Sequence, residues 1–324
     1  MRSLVTGASG FAGAYLVKEL AAAGHEVIAT DVVEPSAVPG GVVHRGCDLL
    51  DGGAVRALVA DVRPDYLFHL AAQSSAARSF EEPRPTLETN VFGTLNVLES
   101  VRSLPYACPG AKTRSGKVRV LSVGSSEEYG RRPRGAMPLG EGSPIEPVSP
   151  YAVSKAAQTM LALQYERSFE IDVVATRSFG HTGPGQPVRF VLPSFARQCA
   201  EIRAGKREPV VNVGNLDVVR DYLDVRDVVR AYRLIAEEAS EPGVYNVCSG
   251  KGIGLRDALD FFVRACGVPV RIVEDPSLAR PADIPVLVGD NTRLRLSCGW
   301  KQEHSTEAML GGLFEYWERL AREK

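Results

Sequence analysis

The chain has 324 residues, 44% of them hydrophobic, and its 38 basic and 39 acidic side chains leave a formal net charge of −1. This balance excludes overall charge as a means of binding nucleic acid or an anionic membrane. The six cysteines are scattered without a C-x-x-C pair, which disfavours a disulfide framework or a metal site. Because there is no membrane-length apolar run and no signal-peptide pattern, we expect a globular cytoplasmic protein.

The N-terminal stretch predicts a dinucleotide site. A short strand through Leu4 and Val5 runs into the G-x-x-G-x-x-G turn formed by Gly7, Gly10, Phe11 and Gly13, and a helical pattern follows. Glycines in such a turn let a pyrophosphate approach the N–H groups at the start of the helix. The next strand ends at Asp31, whose carboxylate can bind an adenosine ribose diol and repels a 2′-phosphate. The pattern favours NAD(H), with NADP(H) as the alternative, over a merely flexible glycine loop.

Strands and helices go on alternating, which predicts an α/β fold with a Rossmann-type doubly wound parallel sheet. One strand ends at Asp48 and Leu49, which we expect at the adenine. A buried strand ends at Leu70, and the small residues Ala71 and Ala72 after it leave room for the cofactor. Within these segments, His69 is interpreted as a core histidine and Asn90 as a residue that holds neighbouring backbone.

The stretch from Ser149 to Lys155 predicts a helix start with Ser149 as its N-cap and Pro150 at its first position. Tyr151 and Lys155 then lie one turn apart on one face. An ammonium group beside a phenol favours phenolate, so we expect it to lower the tyrosine pKa and provide a proton donor near neutral pH. Such a pair is common on ordinary helix surfaces, and its interpretation depends on the rest of the chain.

A central strand ends upstream of this helix at Ser125, Ser126 and Glu127. Ligands of open α/β sheets bind just beyond the carboxyl ends of the strands, so these residues are candidates for the same site. The Pro- and Gly-rich loop 131–150 is predicted to close over a ligand. We predict a cofactor domain at 1–177 and a smaller α/β substrate domain at 178–324, with residues of about 215–250 returning to the first core.

The glycine turn, Ser125 and the Tyr151-x-x-x-Lys155 pair together resemble the extended short-chain dehydrogenases/reductases that act on nucleotide sugars, over essentially the whole chain. The segments 124–130, 181–186, 213–227, 245–250 and 280–281 are similar to the branch that reduces GDP-linked 4-keto sugars. The resemblance implies NAD(P)H-dependent reduction of the C4 ketone of a nucleotide-linked 4-keto-6-deoxyhexose. The favoured substrate is GDP-4-keto-6-deoxy-D-mannose, which would give GDP-D-rhamnose.

The resemblance also implies catalytic roles. Tyr151 would donate a proton to the sugar O4, Lys155 would bind the nicotinamide ribose, and Ser125 would hydrogen-bond the ketone oxygen. The glutamate that matches Glu127 is an acid/base in a dehydratase and orients hydroxyl groups in a reductase, and both roles stay open. A 4,6-dehydratase and a 4-epimerase are the alternative enzymes. A non-enzymatic NAD(P)-binding sensor or scaffold is disfavoured because all three catalytic residues are present.

Further candidates are expected to bind the sugar nucleotide. Arg220 and Arg280 suit a diphosphate because guanidinium groups match phosphate oxygens, although ion pairs with Asp221, Asp224 or Asp283 are the alternative. Gly180 stands where the family has an asparagine near the sugar or nicotinamide. The remaining substrate candidates are Ser126, His181, Arg189, Asn212 and Asp283.

We expect a homodimer, because related proteins pair through the helix of Tyr151 and the helix near Thr89–Glu99. Four residues could face the partner, although a face buried against the sheet has the same pattern: Leu95, Ala157, Met160 and Leu161. Nucleic acid and membrane are not expected as partners.

Overall fold

A seven-stranded parallel sheet dominates the fold of the computed structural model, which describes residues 1–33, 40–104, 113–278 and 284–323. Its strands follow the order β10-β6-β5-β4-β1-β2-β3, and every pair is parallel. The prediction of a Rossmann-type sheet is confirmed. The strands are, in chain order, β1 Arg2–Thr6, β2 Glu26–Asp31, β3 Val43–Gly46, β4 Tyr66–His69, β5 Arg119–Ser125, β6 Asp172–Ser178, β7 Gly180–Thr182, β8 Val210–Val213, β9 Val219–Asp224, β10 Gly243–Val247, β11 Gly252–Gly254, β12 Arg271–Glu274 and β13 Val286–Leu287.

Helices cover both faces of this sheet. They are α1 Phe11–Ala22, α2 Gly52–Val62, α3 Ala76–Glu81, α4 Pro83–Leu87, α5 Gly93–Arg102, α6 Pro150–Phe169, α7 Val191–Arg203, α8 Val225–Glu238, α9 Leu255–Cys266, α10 Thr292–Cys298 and α11 Thr306–Glu323. The Ser149 cap lies where the sequence predicts it, and Asp224 caps a second helix. The Ser149 side chain accepts from Ala152 N at 3.1 Å to begin α6, and Asp224 accepts from Arg226 N at 2.9 Å to begin α8.

The apolar residues form a core on each side of the sheet, a third core in a smaller lobe and a small fourth cluster that includes Tyr129 and Phe179. Helices α1 and α8 pack on one sheet face through residues such as Leu16 and Val228, and α2, α5 and α6 pack on the other. In the smaller lobe, α7, α9 and α11 enclose Phe195, Phe262 and Leu313. Strand β10 is part of the large sheet and helix α8 packs on it, and both lie within the segment 215–250 that is predicted to return to the first core. The domain boundary at residue 177 stays a prediction.

Some elements give no clear local signal in the sequence. The helical stretch around Asn90 begins at Pro83 and contains a π-helical turn, Glu88–Phe92, between α4 and α5. Residues 219–224 form a strand. Helices α3 and α10 are too short, at 6 and 7 residues, to show a clear apolar period.

Two further observations concern the described part of the chain alone. None of its helices has the length and apolar character needed to cross a membrane. Its five cysteines, Cys47, Cys199, Cys248, Cys266 and Cys298, are buried and unpaired.

Candidate active site

A cavity of about 1800 Å³ lies between the carboxyl ends of the sheet strands and the smaller lobe. It brings together every described candidate residue: Gly7, Gly10, Phe11, Gly13, Asp31, Asp48, Leu49, Leu70, Ala71, Ala72, Ser125, Ser126, Glu127, Tyr151, Lys155, Gly180, His181, Arg189, Asn212 and Arg220. Arg280 and Asp283 lie outside the described residues. The cavity therefore joins the predicted cofactor and substrate sites in one space.

The glycine turn has the close backbone packing that a dinucleotide cradle needs. Gly7 has a φ of +70°, and a Cβ there would lie 2.6 Å from Ala71 N. A Cβ on Gly13 would lie 2.1 Å from Gly7 O, so α1 can approach the turn only because this residue is glycine. The first turn of α1 carries no acidic side chain, which leaves its N–H groups suited to a pyrophosphate. These residues fit a nicotinamide dinucleotide.

The edge of the cavity that carries Asp31, Asp48 and Leu49 is fixed by hydrogen bonds to the backbone. The carboxylate of Asp31 accepts from Ser9 N at 3.1 Å and from Val32 N at 2.8 Å, which ties it to the glycine turn. Asp48 accepts from Leu50 N at 2.9 Å. The side chain of Asn96 donates to Leu49 O at 2.8 Å, so α5 holds this edge of the cavity in place.

Polar core residues hold the end of β4. His69 is buried between Thr6 Oγ1, 2.8 Å from its Nδ1, and Thr94 Oγ1, 2.9 Å from its Nε2, and burial lowers its pKa to about 3. Asn90 accepts from Gln73 N at 2.8 Å and donates to Gln73 O at 3.1 Å. Both residues lie as the sequence predicts, one in the core and one holding backbone.

Ser125 is fixed by a buried carboxylate that the sequence analysis missed. Its hydroxyl accepts from Glu127 N at 3.2 Å, and its own N–H donates to Glu128 Oε1 at 2.9 Å. The same oxygen of Glu128 accepts from Thr159 at 2.9 Å, and Oε2 pairs with Arg177 Nε at 2.8 Å. A Glu-Glu-Tyr stretch reads as solvent-exposed, and only the position of Arg177 on the next strand reveals the buried pair.

Tyr151 is buried and hydrogen-bonded to Ser125. Burial raises the pKa of this phenol, the negative charge of Glu127 raises it further, and the hydrogen bond from Ser125 opposes them. The expected lowering of the Tyr151 pKa by Lys155 is therefore wrong for the protein without cofactor. The reason is that burial removes more solvation free energy from the phenolate than its hydrogen bonds and nearby charges restore.

Lys155 is directed at the backbone of β5 instead. Its ammonium donates to Val123 O at 2.6 Å and to Gln158 Oε1 at 2.8 Å, and burial lowers its pKa to about 8. Burial thus favours the protonated form of the Tyr151 phenol and brings the pKa of Lys155 close to the working range of most enzymes.

A second phenol in the cavity was also missed. Tyr232 on α8 shares a hydrogen bond of 2.7 Å with the Ser178 hydroxyl. Ser178 is the direct neighbour of Ser125 in the β5–β6 register, and both Tyr232 and Ser178 line the cavity. Their hydroxyl groups extend the polar wall that Ser125 begins.

The substrate candidates divide by position. The His181 ring stacks on Phe11 of the glycine turn with 6.1 Å between centroids, and burial lowers the His181 pKa. The guanidinium of Arg189 lies 5.0 Å from the centre of the Phe190 ring. Asn212 is held through its backbone by Gln198, with its N–H donating at 2.9 Å.

Arg220 lines the cavity, and its Nη1 donates to Val219 O at 3.0 Å. The carboxylate of Asp221 accepts from Ser249, Gly250 and Gly289. The carboxylate of Asp224 pairs with Arg226 at 2.7 Å.

A sequence model of one family, described as GDP-mannose 4,6 dehydratase, matches residues 4–312. The chain belongs to this family. A GDP-6-deoxy-D-mannose reductase of Pseudomonas aeruginosa is 36% identical over 323 residues, which cover 100% of this chain and 99% of the relative. A GDP-mannose 4,6-dehydratase of Yersinia enterocolitica is 27% identical, and the alignment covers 95% of this chain and 91% of the dehydratase.

Solved structures in the comparison share the fold along their whole length. The structure of RMD from Pseudomonas aeruginosa complexed with NADPH superposes with a TM-score of 0.84 at 34% identity, covering 98% of this chain and 99% of that one. A UDP-glucose 4-epimerase of Thermotoga maritima with UDP-glucose has a TM-score of 0.87 at 26% identity, covering 99% of both chains.

These comparisons confirm the predicted membership of the extended short-chain dehydrogenase/reductase group and a nicotinamide-dependent oxidoreductase that acts on nucleotide sugars. Members of the GDP-mannose 4,6-dehydratase family and its structural neighbours include reductases, dehydratases and epimerases. Family membership therefore leaves the reaction type and the choice between NADH and NADPH to be argued from this chain.

The depressed pKa of Lys155 predicts how cofactor affinity depends on pH. If the charged ammonium binds the nicotinamide ribose, the dissociation constant of NADH rises above pH 8, by up to about tenfold per pH unit, because binding then requires proton uptake. Fluorescence titration between pH 6 and 10 measures this change. In Lys155→Arg the guanidinium stays charged, so the same curve should be flat. A flat curve for the unaltered protein would contradict the assignment.

Proposed function

We propose that this enzyme reduces the C4 ketone of GDP-4-keto-6-deoxy-D-mannose to GDP-D-rhamnose with NADH. The observation that carries the proposal is the hydrogen-bonded pair of Ser125 and Tyr151 in the cavity that the glycine turn also lines. The full-length similarity to a reductase that uses this class of sugar nucleotide supports it.

The proposed mechanism divides the work between three side chains. When bound, the nicotinamide supplies a hydride to the sugar C4. Tyr151 donates its phenolic proton to O4 as negative charge develops there, so the phenol O–H bond breaks, a new O–H bond forms on the sugar, and a phenolate remains. The Ser125 hydroxyl donates a hydrogen bond to O4, and the ammonium group of Lys155 binds the nicotinamide ribose. The hydrogen bonds to O4 strengthen as charge develops and so stabilise the transition state selectively.

The role of Glu127 distinguishes the proposed reductase from the second candidate, a 4,6-dehydratase. We propose that its carboxylate orients substrate hydroxyl groups and, through its negative charge, keeps Tyr151 protonated before reaction. In a 4,6-dehydratase the same group would remove the C5 proton and assist departure of the C6 hydroxyl. Its place in the cavity wall and the 27% identity to a dehydratase keep that reaction as the second candidate.

For the diphosphate we propose Arg220 with Arg280, and for the sugar and base Ser126, His181, Arg189, Asn212 and Asp283. The position of Arg220 in the cavity wall and the fork geometry of guanidinium groups support this assignment. Asp283 and Arg280 enter it from the sequence resemblance alone. Replacement of Arg220 by Gln should weaken GDP binding about tenfold or more, and unchanged GDP affinity would remove Arg220 from the site.

The reaction type is tested by giving the enzyme one substrate at a time. With GDP-mannose alone we expect no product, and with GDP-4-keto-6-deoxy-D-mannose plus NADH we expect stoichiometric NADH oxidation and GDP-D-rhamnose. Chromatography identifies the sugar nucleotides, and the absorbance of reduced nicotinamide measures the NADH that is consumed. Accumulation of a 4-keto sugar from GDP-mannose alone would identify a dehydratase, and interconversion of hexoses without net NADH use would identify an epimerase.

Replacement of Tyr151 by Phe tests the proton donor. We expect turnover to fall by about 10²-fold or more, since the variant lacks the only proposed proton donor to O4. NADH affinity should stay within about twofold, because Lys155 and the glycine turn are unchanged. Tyr165→Phe is the matched control: it removes a phenol that bonds Glu99 away from the cavity and should leave turnover unaltered. Wild-type turnover in Tyr151→Phe would exclude this residue as the donor.

We propose NADH as the preferred cofactor because of Asp31. Its carboxylate lies at the glycine turn, and residues 32–42 contain no arginine or lysine that could bind a 2′-phosphate. The ratio of kcat/KM for NADH to that for NADPH should exceed about 10 and should fall in Asp31→Asn, which removes the repulsion. Asp217→Asn, an exposed control in the smaller lobe, should preserve the ratio. A ratio below one in the unaltered enzyme would overturn the preference.

We propose a homodimer formed by α5 and α6 of two copies. Phe92, Val153 and Met160 leave 55%, 45% and 66% of their surfaces exposed, which is unusual for large apolar side chains grouped on adjacent helices. Among the four residues predicted for this face, Met160 is exposed, Ala157 is half-buried, and Leu95 and Leu161 pack partly into the sheet core.

Met160→Asp should convert the dimer to a monomer, because burying a carboxylate against apolar side chains is unfavourable. Light scattering coupled to size-exclusion chromatography measures the mass. Leu296→Asp is the control, since Leu296 is 80% exposed on α10 and should not affect assembly. A monomeric unaltered protein, or a dimer that survives Met160→Asp, would contradict the proposed interface.

A cytoplasmic location is proposed as well. The buried, unpaired cysteines of the described chain suit a reducing compartment. Recovery of the protein in a membrane or secreted fraction of its native cells would contradict this location.

A further inference from the structure

Gly180 and Tyr222 face each other on neighbouring strands at the wall of the substrate cavity. Gly180 begins β7, Tyr222 lies on β9, and the two residues are direct partners in the parallel β7–β9 register. Both line the cavity. Position 180, where the family has an asparagine, is therefore paired with an aromatic ring in this chain.

The Tyr222 ring occupies the space that a side chain at position 180 would need. A Cβ built on Gly180 would lie 2.8 Å from both Cδ1 and Cε1 of Tyr222 and 2.9 Å from Asp221 O. Since carbon atoms not bonded to each other rarely approach this closely, the ring lies against the bare Cα of the glycine. Aromatic side chains cover strand glycines in this way in other sheets.

The backbone beneath the ring cannot easily move to make room. Asp221, the residue before Tyr222, is fully buried. Its carboxylate accepts from Ser249 N and Oγ at 2.7 Å each, from Gly250 N at 2.9 Å and from Gly289 N at 3.3 Å. Tyr222 also packs against the apolar core of the smaller lobe. The Tyr222 ring is thus held by the fixed backbone of β9 and by the apolar core of the smaller lobe, and it also borders the cavity.

We propose that Tyr222, seated on Gly180, is a specificity-determining residue that gives the hexose an apolar wall and favours a 6-deoxy sugar over its 6-hydroxy counterpart. The inference rests on the proposed function, which supplies the sugar class. A methyl group at C6 gains apolar contact with the face of the ring, whereas a hydroxyl group against that face would lose water and the ring carbons would give it no hydrogen bond. An amide side chain at position 180 would offer such a partner, and the ring excludes it.

GDP-D-rhamnose and GDP-D-mannose are a matched pair for testing this wall, because they differ only in the C6 hydroxyl. Calorimetric titration in the presence of NADH gives the dissociation constant of each, and GDP alone reports the nucleotide site. We expect the unaltered enzyme to bind GDP-D-rhamnose about 10-fold or more tightly than GDP-D-mannose, the range available from one apolar contact. Tyr222→Ala should reduce this ratio to within about threefold and leave GDP affinity unchanged, whereas Tyr222→Phe, which keeps the ring, should preserve it.

Gly180→Ala should reduce the ratio as Tyr222→Ala does, because the added methyl group displaces the ring. In the double variant Gly180→Ala/Tyr222→Ala no further reduction is expected, since the ring that collides is already absent. Equal affinities of the unaltered enzyme for the two sugars, an unchanged ratio in Tyr222→Ala, or equal weakening of both sugars and GDP would each overturn the inference. NADH-dependent reduction of the 4-keto sugar by the unaltered enzyme is measured alongside, and its absence would instead overturn the proposed function.

Discussion

The buried ion pair between Glu128 and Arg177 is the contact on which the geometry of the active site depends. Burial raises the Glu128 pKa, and Arg177 opposes that shift. The carboxylate joins three elements, because it receives hydrogen bonds from the end of β5, from Thr159 on α6 and from Arg177 on β6. Ser125 and the helix that carries Tyr151 are thereby held at a constant separation. An ion pair of this kind is weak evidence for stability, but losing one partner leaves a buried charge uncompensated.

The candidate site is built by a chain that passes repeatedly between the large sheet and the smaller lobe. The first crossing, at Ser178 to Thr182, leaves the sheet beside Ser125 and places Gly180 and His181 in the cavity wall. The return through β9 and α8 brings Tyr232 back over the sheet. Cofactor and substrate candidates consequently meet in one cavity because a single chain contributes to both of its walls, rather than because two independent domains approach each other.

Local signals account for the parts of the site that could be predicted from sequence. The glycine turn, the Ser149 cap and the spacing of Tyr151 from Lys155 all act within a few residues, where periodicity and capping are informative. The missed features depend on residues far apart in sequence: Glu128 with Arg177, Gly180 with Tyr222, and Tyr232 with Ser178. The Tyr151 pKa failed for a related reason, since burial is a property of the whole fold and outweighs one nearby charge.

The π-helical turn between α4 and α5 corrects the phase of one helix. Thr86, Asn90, Thr94 and Leu98 are all buried, at 0%, 0%, 1% and 1% exposure, although a strict four-residue repeat drifts about 40° per step around a regular α-helix. The wider turn at Glu88–Phe92 absorbs part of this drift. Three polar side chains therefore form one line, and they bond Gln73, Ser154 and His69. Without the wider turn, the three polar side chains would lie progressively further around the helix. With it, all three form hydrogen bonds to residues on or next to β4 and α6.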